Sequence, residues 1–137
     1  MMRREGFTLL EALTTVIVIG ILASIAIPNY RRTVERGYWQ EAQDMLMTIY
    51  YGERSYFLMN NAYTNTGGWE TIGMADPNLG AIPVTFVVAI DAATTGCAAN
   101  GACFRATATR TDGRCMTIDQ TRTLNLAPAG CTAWPQP

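Results

Sequence analysis

Glu11 is the one charged side chain in the stretch FTLLEALTTVIVIGILASIAI, which runs 21 residues from Phe7 to Ile27. A carboxylate in such a run costs roughly 2.5 to 3.5 kcal/mol at mid-membrane, and less near the surface, so its expected chemistry is an ion pair with a nearby cation. Four cysteines, Cys97, Cys103, Cys115 and Cys131, fall in the last 41 residues without a C-x-x-C pair. An even count in a small exported domain reads as two disulfides, with three pairings open. Thiolates without histidine or regular short spacing make a metal site the weaker reading. The chain has no histidine and its ten basic residues are all arginine. The commonest general base and the commonest neutral metal ligand are therefore missing, and no phosphate loop or metal cluster is legible. An enzyme, a cofactor and a bound metal are not expected.

The elements that must carry these groups fit one domain of 137 residues and 15.0 kDa. Eleven acids against ten bases give a net charge of -1 and a pI near 5.3, which provides no overall field for nucleic acid. Mean hydropathy is +0.07, with the excess at the amino end, where 21 helical residues would extend about 32 Å, enough to cross a bilayer. Gly20 and Pro28 bracket the second half of this run, where the helix is expected to bend or melt locally. From Asn29 to about Asn60, Val34, Tyr38, Ala42, Met45, Ile49 and Tyr56 recur on one helical face. Arg31, Arg32, Glu35, Glu41, Asp44, Glu53 and Arg54 are expected on the solvated face, with Arg31, Arg32 and Glu35 also placed for bridges between subunits. Tyr50, Tyr51, Tyr56 and Phe57 are expected to pack. Residues 61–80 read as a surface loop, Ile82–Ile90 and Phe104–Thr111 as strands, and Asp112-Gly113 as a hairpin into Cys115–Ile118. A fourth strand is expected over Arg122–Leu126, and a loose tail beyond Cys131.

A secretory signal cut near Ser24 and Ala26, or a plain anchor oriented by Arg3 and Arg4, leaves Glu11 without a role. The residues Gly6-Phe7-Thr8-Leu9-Leu10-Glu11, with Arg3 and Arg4 before them and the apolar run ending in Ala26-Ile27-Pro28 after them, resemble the type III signal of type IV prepilins. The resemblance implies a leader, residues 1–6, cut between Gly6 and Phe7 by a prepilin peptidase that also N-methylates Phe7. It implies a membrane and filament-core helix over 7–28, its amphipathic continuation over 29–60, a connecting loop over 61–80 and a sheet over 81–137. The fold class is then α+β, a long amino-terminal helix packed on a small antiparallel sheet.

Glu11 of one subunit would pair with the amine of Phe7 of its neighbour, two costly charges neutralised together. The alternative is a Glu11 that reaches the headgroups alone. Partners implied are further copies of the chain in a filament, the peptidase, a pilus assembly platform and, before assembly, inner-membrane lipid. The chain would lie in a bacterial inner membrane with its amino end cytoplasmic and its folded part periplasmic, then in an extracellular pilus for adhesion, twitching motility or DNA uptake. Cys97–Cys103, stapling a short loop between strands, and Cys115–Cys131, tying the end of the chain to the sheet, are the expected pairs. The second lies where similar pilins carry a disulfide-bounded region. A type II secretion pseudopilin is the alternative fibre. Its calcium site of acidic and carbonyl ligands is poorly matched here, since Asp119 is the one acid after Cys115. A DNA-binding minor pilin, using Arg105, Arg110, Arg114 and Arg122, is weaker, because strand alternation puts Arg105 and Arg110 on opposite faces.

Overall fold

The computed structural model describes residues 8–65, 67–80, 82–90 and 103–134. The chain divides into two compact units, residues 1–36 and 37–137. One helix, α1 (Leu9–Asn60), contributes to both. It ends where Asn61 adopts the left-handed conformation (φ 54°) and donates its N–H to the Phe57 carbonyl at 2.8 Å. Asparagine tolerates that conformation better than most side chains, so the Asn60-Asn61 pair stops the helix at the expected place.

In the second unit the helix packs on a four-stranded antiparallel meander of β1 (Val84–Ile90), β2 (Phe104–Arg110), β3 (Cys115–Asp119) and β4 (Leu124–Asn125). Alternation selects the buried face: Val84, Phe86 and Val88 from β1, and Phe104, Ala106 and Ala108 from β2, as the sequence predicts for the latter. Phe86 stands opposite Ala108, which stands opposite Met116, so the small residues of the middle strand are flanked by bulky ones. Ala42, Leu46 and Ile49 of α1 complete the core. Rings of Phe57, Tyr63, Phe104 and Tyr50 follow one another at centroid separations of 4.6, 4.8 and 6.2 Å, joining helix, loop and β2. The β2–β3 hairpin turns through Gly113, whose φ of 83° suits glycine.

Five expectations change. Glu53 lies on the buried face of α1 and is fully inaccessible to solvent, because Thr64 comes back over the helix to bond it. Tyr51 is 55% exposed rather than packed inside, with the Arg122 guanidinium 5.8 Å from its ring centroid. The 61–80 connection is only partly a surface loop: Tyr63, Trp69 and Pro77 are buried, and Pro77–Leu79 forms a short 3-10 turn. The end of the chain is no loose tail as far as it is described, since Trp134 is 2% exposed within the core. The fourth strand is also shorter than expected, because Arg122 takes a positive φ of 65° in the preceding turn.

The free edge of β1 is closed by side chains. Asn78 donates to the Phe86 carbonyl (3.0 Å) and accepts its N–H (2.7 Å), while Asn65 accepts the N–H of Ile90 (3.2 Å). Three of the edge groups that would template another strand are thereby occupied.

Candidate functional site

Residues 9–27 carry their apolar side chains outward. Leu9 is 85% exposed and Ile27 is 54% exposed. A helix that is apolar all round is built for burial against other helices or lipid. Its length and composition suffice to cross a membrane, and none of its apolar window is buried in the structure. The polar side chains in this stretch are satisfied from within. Hydroxyls of Thr14, Thr15 and Ser24 donate to the carbonyls of Glu11 (2.9 Å), Ala12 (2.8 Å) and Ile21 (2.7 Å). In a medium without water such back-bonding removes the cost of an unpaired hydroxyl. Glu11 remains as the one ionisable group of the segment.

Glu11 sits in the first turn of α1 and its position is set by a cap. The Glu11 N–H donates to the Thr8 hydroxyl oxygen at 3.3 Å, and the Ala12 N–H to the Thr8 carbonyl at 3.2 Å. Thr8 is therefore the N-cap and Glu11 the third helical residue, the spacing of a capping box. That signal is present in the sequence as Thr-x-x-Glu, whereas the resemblance to prepilins points Glu11 to a partner in another subunit and to none in its own turn. A carboxylate there also complements the positive end of the helix dipole. Gly6 and Phe7, with Arg3 and Arg4, lie outside the described residues.

The helix is continuous through Gly20 and Pro28. Pro28 has no N–H to give to the Ser24 carbonyl, so one hydrogen bond is absent where the apolar stretch ends. Tyr30 is 71% exposed just beyond, and Arg31, Arg32 and Arg36 are exposed, whereas Glu35 is half-buried.

In the second unit Cys115 and Cys131 form a disulfide with Cα atoms 5.6 Å apart. This pairing is as expected, and it holds the end of the chain on β3. The Thr132 N–H donates to the Gly113 carbonyl at 3.1 Å, and Thr132 bridges to Arg114. Cys103 is fully buried at the start of β2; its expected partner Cys97 lies outside the described residues. Arg105 and Arg110 project to opposite faces of β2, as alternation requires. Arg110 lies 5.2 Å from the Tyr38 ring centroid and 3.5 Å from the Asp112 carboxylate, which Arg114 also approaches at 3.5 Å. These arginines belong to local pairs and do not form a stripe.

Glu53 is the buried acid that periodicity misses. Its Oε2 accepts the Thr64 N–H at 2.9 Å and its Oε1 accepts the Thr64 hydroxyl. Burial pushes its carboxyl above the usual value, and the two bonds from Thr64 oppose that in part. An acid eleven residues from a threonine carries no local sequence signal, so charge alone points it to the solvated face.

A sequence model of the family described as "Prokaryotic N-terminal methylation motif" matches residues 1–27. The segment with the exposed apolar helix and its capped acid thus carries the motif of N-methylated prepilins. Over just under half its length the chain is homologous to pilins and type II secretion proteins. It is 40% identical over 63 residues to the type IV major pilin protein PilA of Myxococcus xanthus, covering 46% of this chain and 29% of that protein. It is 36% identical over 64 residues to the type II secretion system core protein G of Aeromonas hydrophila, covering 47% of this chain and 45% of that protein. It is 35% identical over 65 residues to the fimbrial protein EcpC of Eikenella corrodens, covering 43% and 42%. The matches thus span less than half the length of each of these relatives. No solved structure matches the chain.

Proposed function

We propose that the chain is a subunit of a type IV pilus, stored in the inner membrane as a prepilin and assembled into a helical extracellular fibre. The observation that carries this reading is the exposed apolar helix with Glu11 in its first turn, inside a segment that matches the N-terminal methylation motif. In this reading a prepilin peptidase cuts between Gly6 and Phe7 and methylates the Phe7 amine. The apolar stems pack together as the filament core, Glu11 pairs with the Phe7 amine of a neighbour, and the stretch from Gly20 to Pro28 is where the helix loosens under load. The sheet and the 61–80 connection form the fibre surface. The chain performs no catalysis of its own. Assembly draws on the peptidase, an assembly platform and membrane lipid.

A second reading, a periplasmic type II secretion pseudopilus, is favoured by the core protein G relatives, which the chain covers more fully than it covers the major pilin. The discriminating experiment is the intact mass and amino-terminal sequence of the protein from native membranes and from sheared surface material. A chain beginning at Phe7 with one added methyl group, present in the sheared fraction, is the expected result. The same chain confined to the cell envelope selects the pseudopilin. A chain beginning at Met1 or after Ala26 overturns both.

A further inference from the structure

We propose that Arg31, Arg32 and Arg36 form a binding collar for the phosphate groups of anionic phospholipids, in the leaflet at the far end of the apolar segment from Glu11. The proposal rests on the reading that this segment spans a membrane. Ile25 and Ile27 are the last large apolar side chains exposed before the collar, at 60% and 54%. At 1.5 Å per residue, Arg31 and Arg32 stand about 6 and 7.5 Å beyond Ile27, inside a headgroup layer about 5 to 8 Å thick, and Arg36 stands about 13.5 Å beyond. Helical Cα–Cβ bonds tilt toward the amino end, so all three side chains lean back toward the headgroups, Arg36 included. Arg32 and Arg36 are four residues apart and share one face, with Arg31 about 100° round the helix from Arg32.

All three arginines are exposed, while Glu35, the one acid among them, is half-buried. Tyr30, 71% exposed, adds the amphipathic ring typical of a membrane interface. Positive charge normally concentrates on the cytoplasmic side, so three arginines at the opposite end call for a ligand of their own. The planar guanidinium fork matches phosphate geometry, with two donors to one group. Each such side chain near an anionic surface changes partition about fivefold. The collar would fix the depth of the stored subunit, and entry into a fibre would exchange lipid phosphate for other acceptors.

The test uses the full chain reconstituted into phosphatidylcholine bilayers containing trace spin-labelled phosphatidylglycerol or spin-labelled phosphatidylcholine. The motionally restricted fraction of each label measures its association with the helix. A several-fold preference for phosphatidylglycerol is expected. The combined change Arg31→Gln, Arg32→Gln and Arg36→Gln should reduce it severalfold, and added salt at molar concentration should weaken it. Arg3 and Arg4 supply a second cationic cluster, so the same measurement is made with Arg3→Gln and Arg4→Gln, which should retain the preference. Equal selectivity in the parent and the triple variant overturns the collar, as does loss of preference only in the Arg3, Arg4 variant. If neither label shows a restricted component, the membrane-spanning reading itself fails, an outcome distinct from loss of selectivity. Near-UV circular dichroism confirms that each variant is folded.

Discussion

Replacing Glu53 by glutamine tests the electrostatics of the helix–loop junction, because it removes a charge while keeping the shape of the side chain. The oxygen of the introduced amide would accept the Thr64 N–H, and its NH2 would donate to the Thr64 hydroxyl, which rotates to accept. Every bond is thereby replaced. In the parent chain, desolvation raises the Glu53 carboxyl above 4.5 in the folded state, against the lowering effect of Thr64. As pH rises, the unfolded chain loses this proton first, so the folded state binds more protons across the window between the two values. Stability therefore falls from the unfolded value up through the raised folded one, and what is lost is present in full only below both. The Glu53→Gln variant lacks this loss. It should match the parent near pH 4 and exceed it near pH 8, with about 1.4 kcal/mol of divergence for each pH unit by which the carboxyl is displaced. Glu53→Ala should instead cost about 2 to 4 kcal/mol near pH 4, from a cavity and an orphaned Thr64 N–H, and less than that near pH 8, where it too lacks the parent's loss. The assay is denaturant unfolding of the detergent-solubilised full chain, followed by fluorescence of Trp69 and Trp134, which are 3% and 2% exposed. A Glu53→Gln variant that tracks the parent across this pH range would show that burial of the charge is not what sets the carboxyl, and the reasoning would be withdrawn.

Gly6→Ala should block or slow cleavage, leaving the longer precursor in the membrane by mass spectrometry; normal processing counts against the prepilin reading. Glu11→Ala should be cleaved normally yet yield few fibres in sheared fractions, and undiminished fibres would remove the pair with Phe7. Replacing Cys115 and Cys131 by serine opens a loop of 16 residues and should lower stability by about 3 kcal/mol in the denaturant assay, with Trp134 fluorescence shifting toward that of an exposed indole. Asn78→Ala removes two bonds to the Phe86 backbone, for a cost of about 1 to 3 kcal/mol. It should also produce concentration-dependent association through the opened β1 edge, visible by light scattering.

What the sequence displays well is whatever repeats locally. The apolar run, the face through Ala42 and Ile49, the alternation of Phe104, Ala106 and Ala108, and the Asp112-Gly113 turn all follow from periods of 3.6 or 2 or from one dipeptide. What it conceals depends on residues distant in the chain. Glu53 looks like surface charge until Thr64 folds over it, and Trp134 looks like tail until the Cys115–Cys131 bond returns that segment to the core. Proximity in sequence groups Tyr51 with its aromatic neighbours, but it falls on the outer face of the helix. The Thr8 cap is legible as a capping box, yet a second explanation for Glu11, the pair with Phe7, draws the eye away from it.

That cap bears on what the ion pair at the amino end contributes. A first-turn acid is stabilised by the helix dipole by about 0.3 to 1 kcal/mol. An unassembled subunit would therefore already hold part of the Glu11 charge against the helix end, and a neighbour's amine would add to that. The apolar side chains are on another scale. Eleven large ones between Leu9 and Ile27 are more than half exposed. At about 1.5 to 3 kcal/mol each on transfer to water, they amount to something on the order of 15 to 30 kcal/mol. On the proposed pilin reading, stem burial would keep the segment in lipid or in a filament core, while Glu11 would select the axial register of the stems. On this argument Glu11→Ala yields subunits that remain membrane-bound and fail at the step of docking, and loss of the variant from the membrane would contradict it.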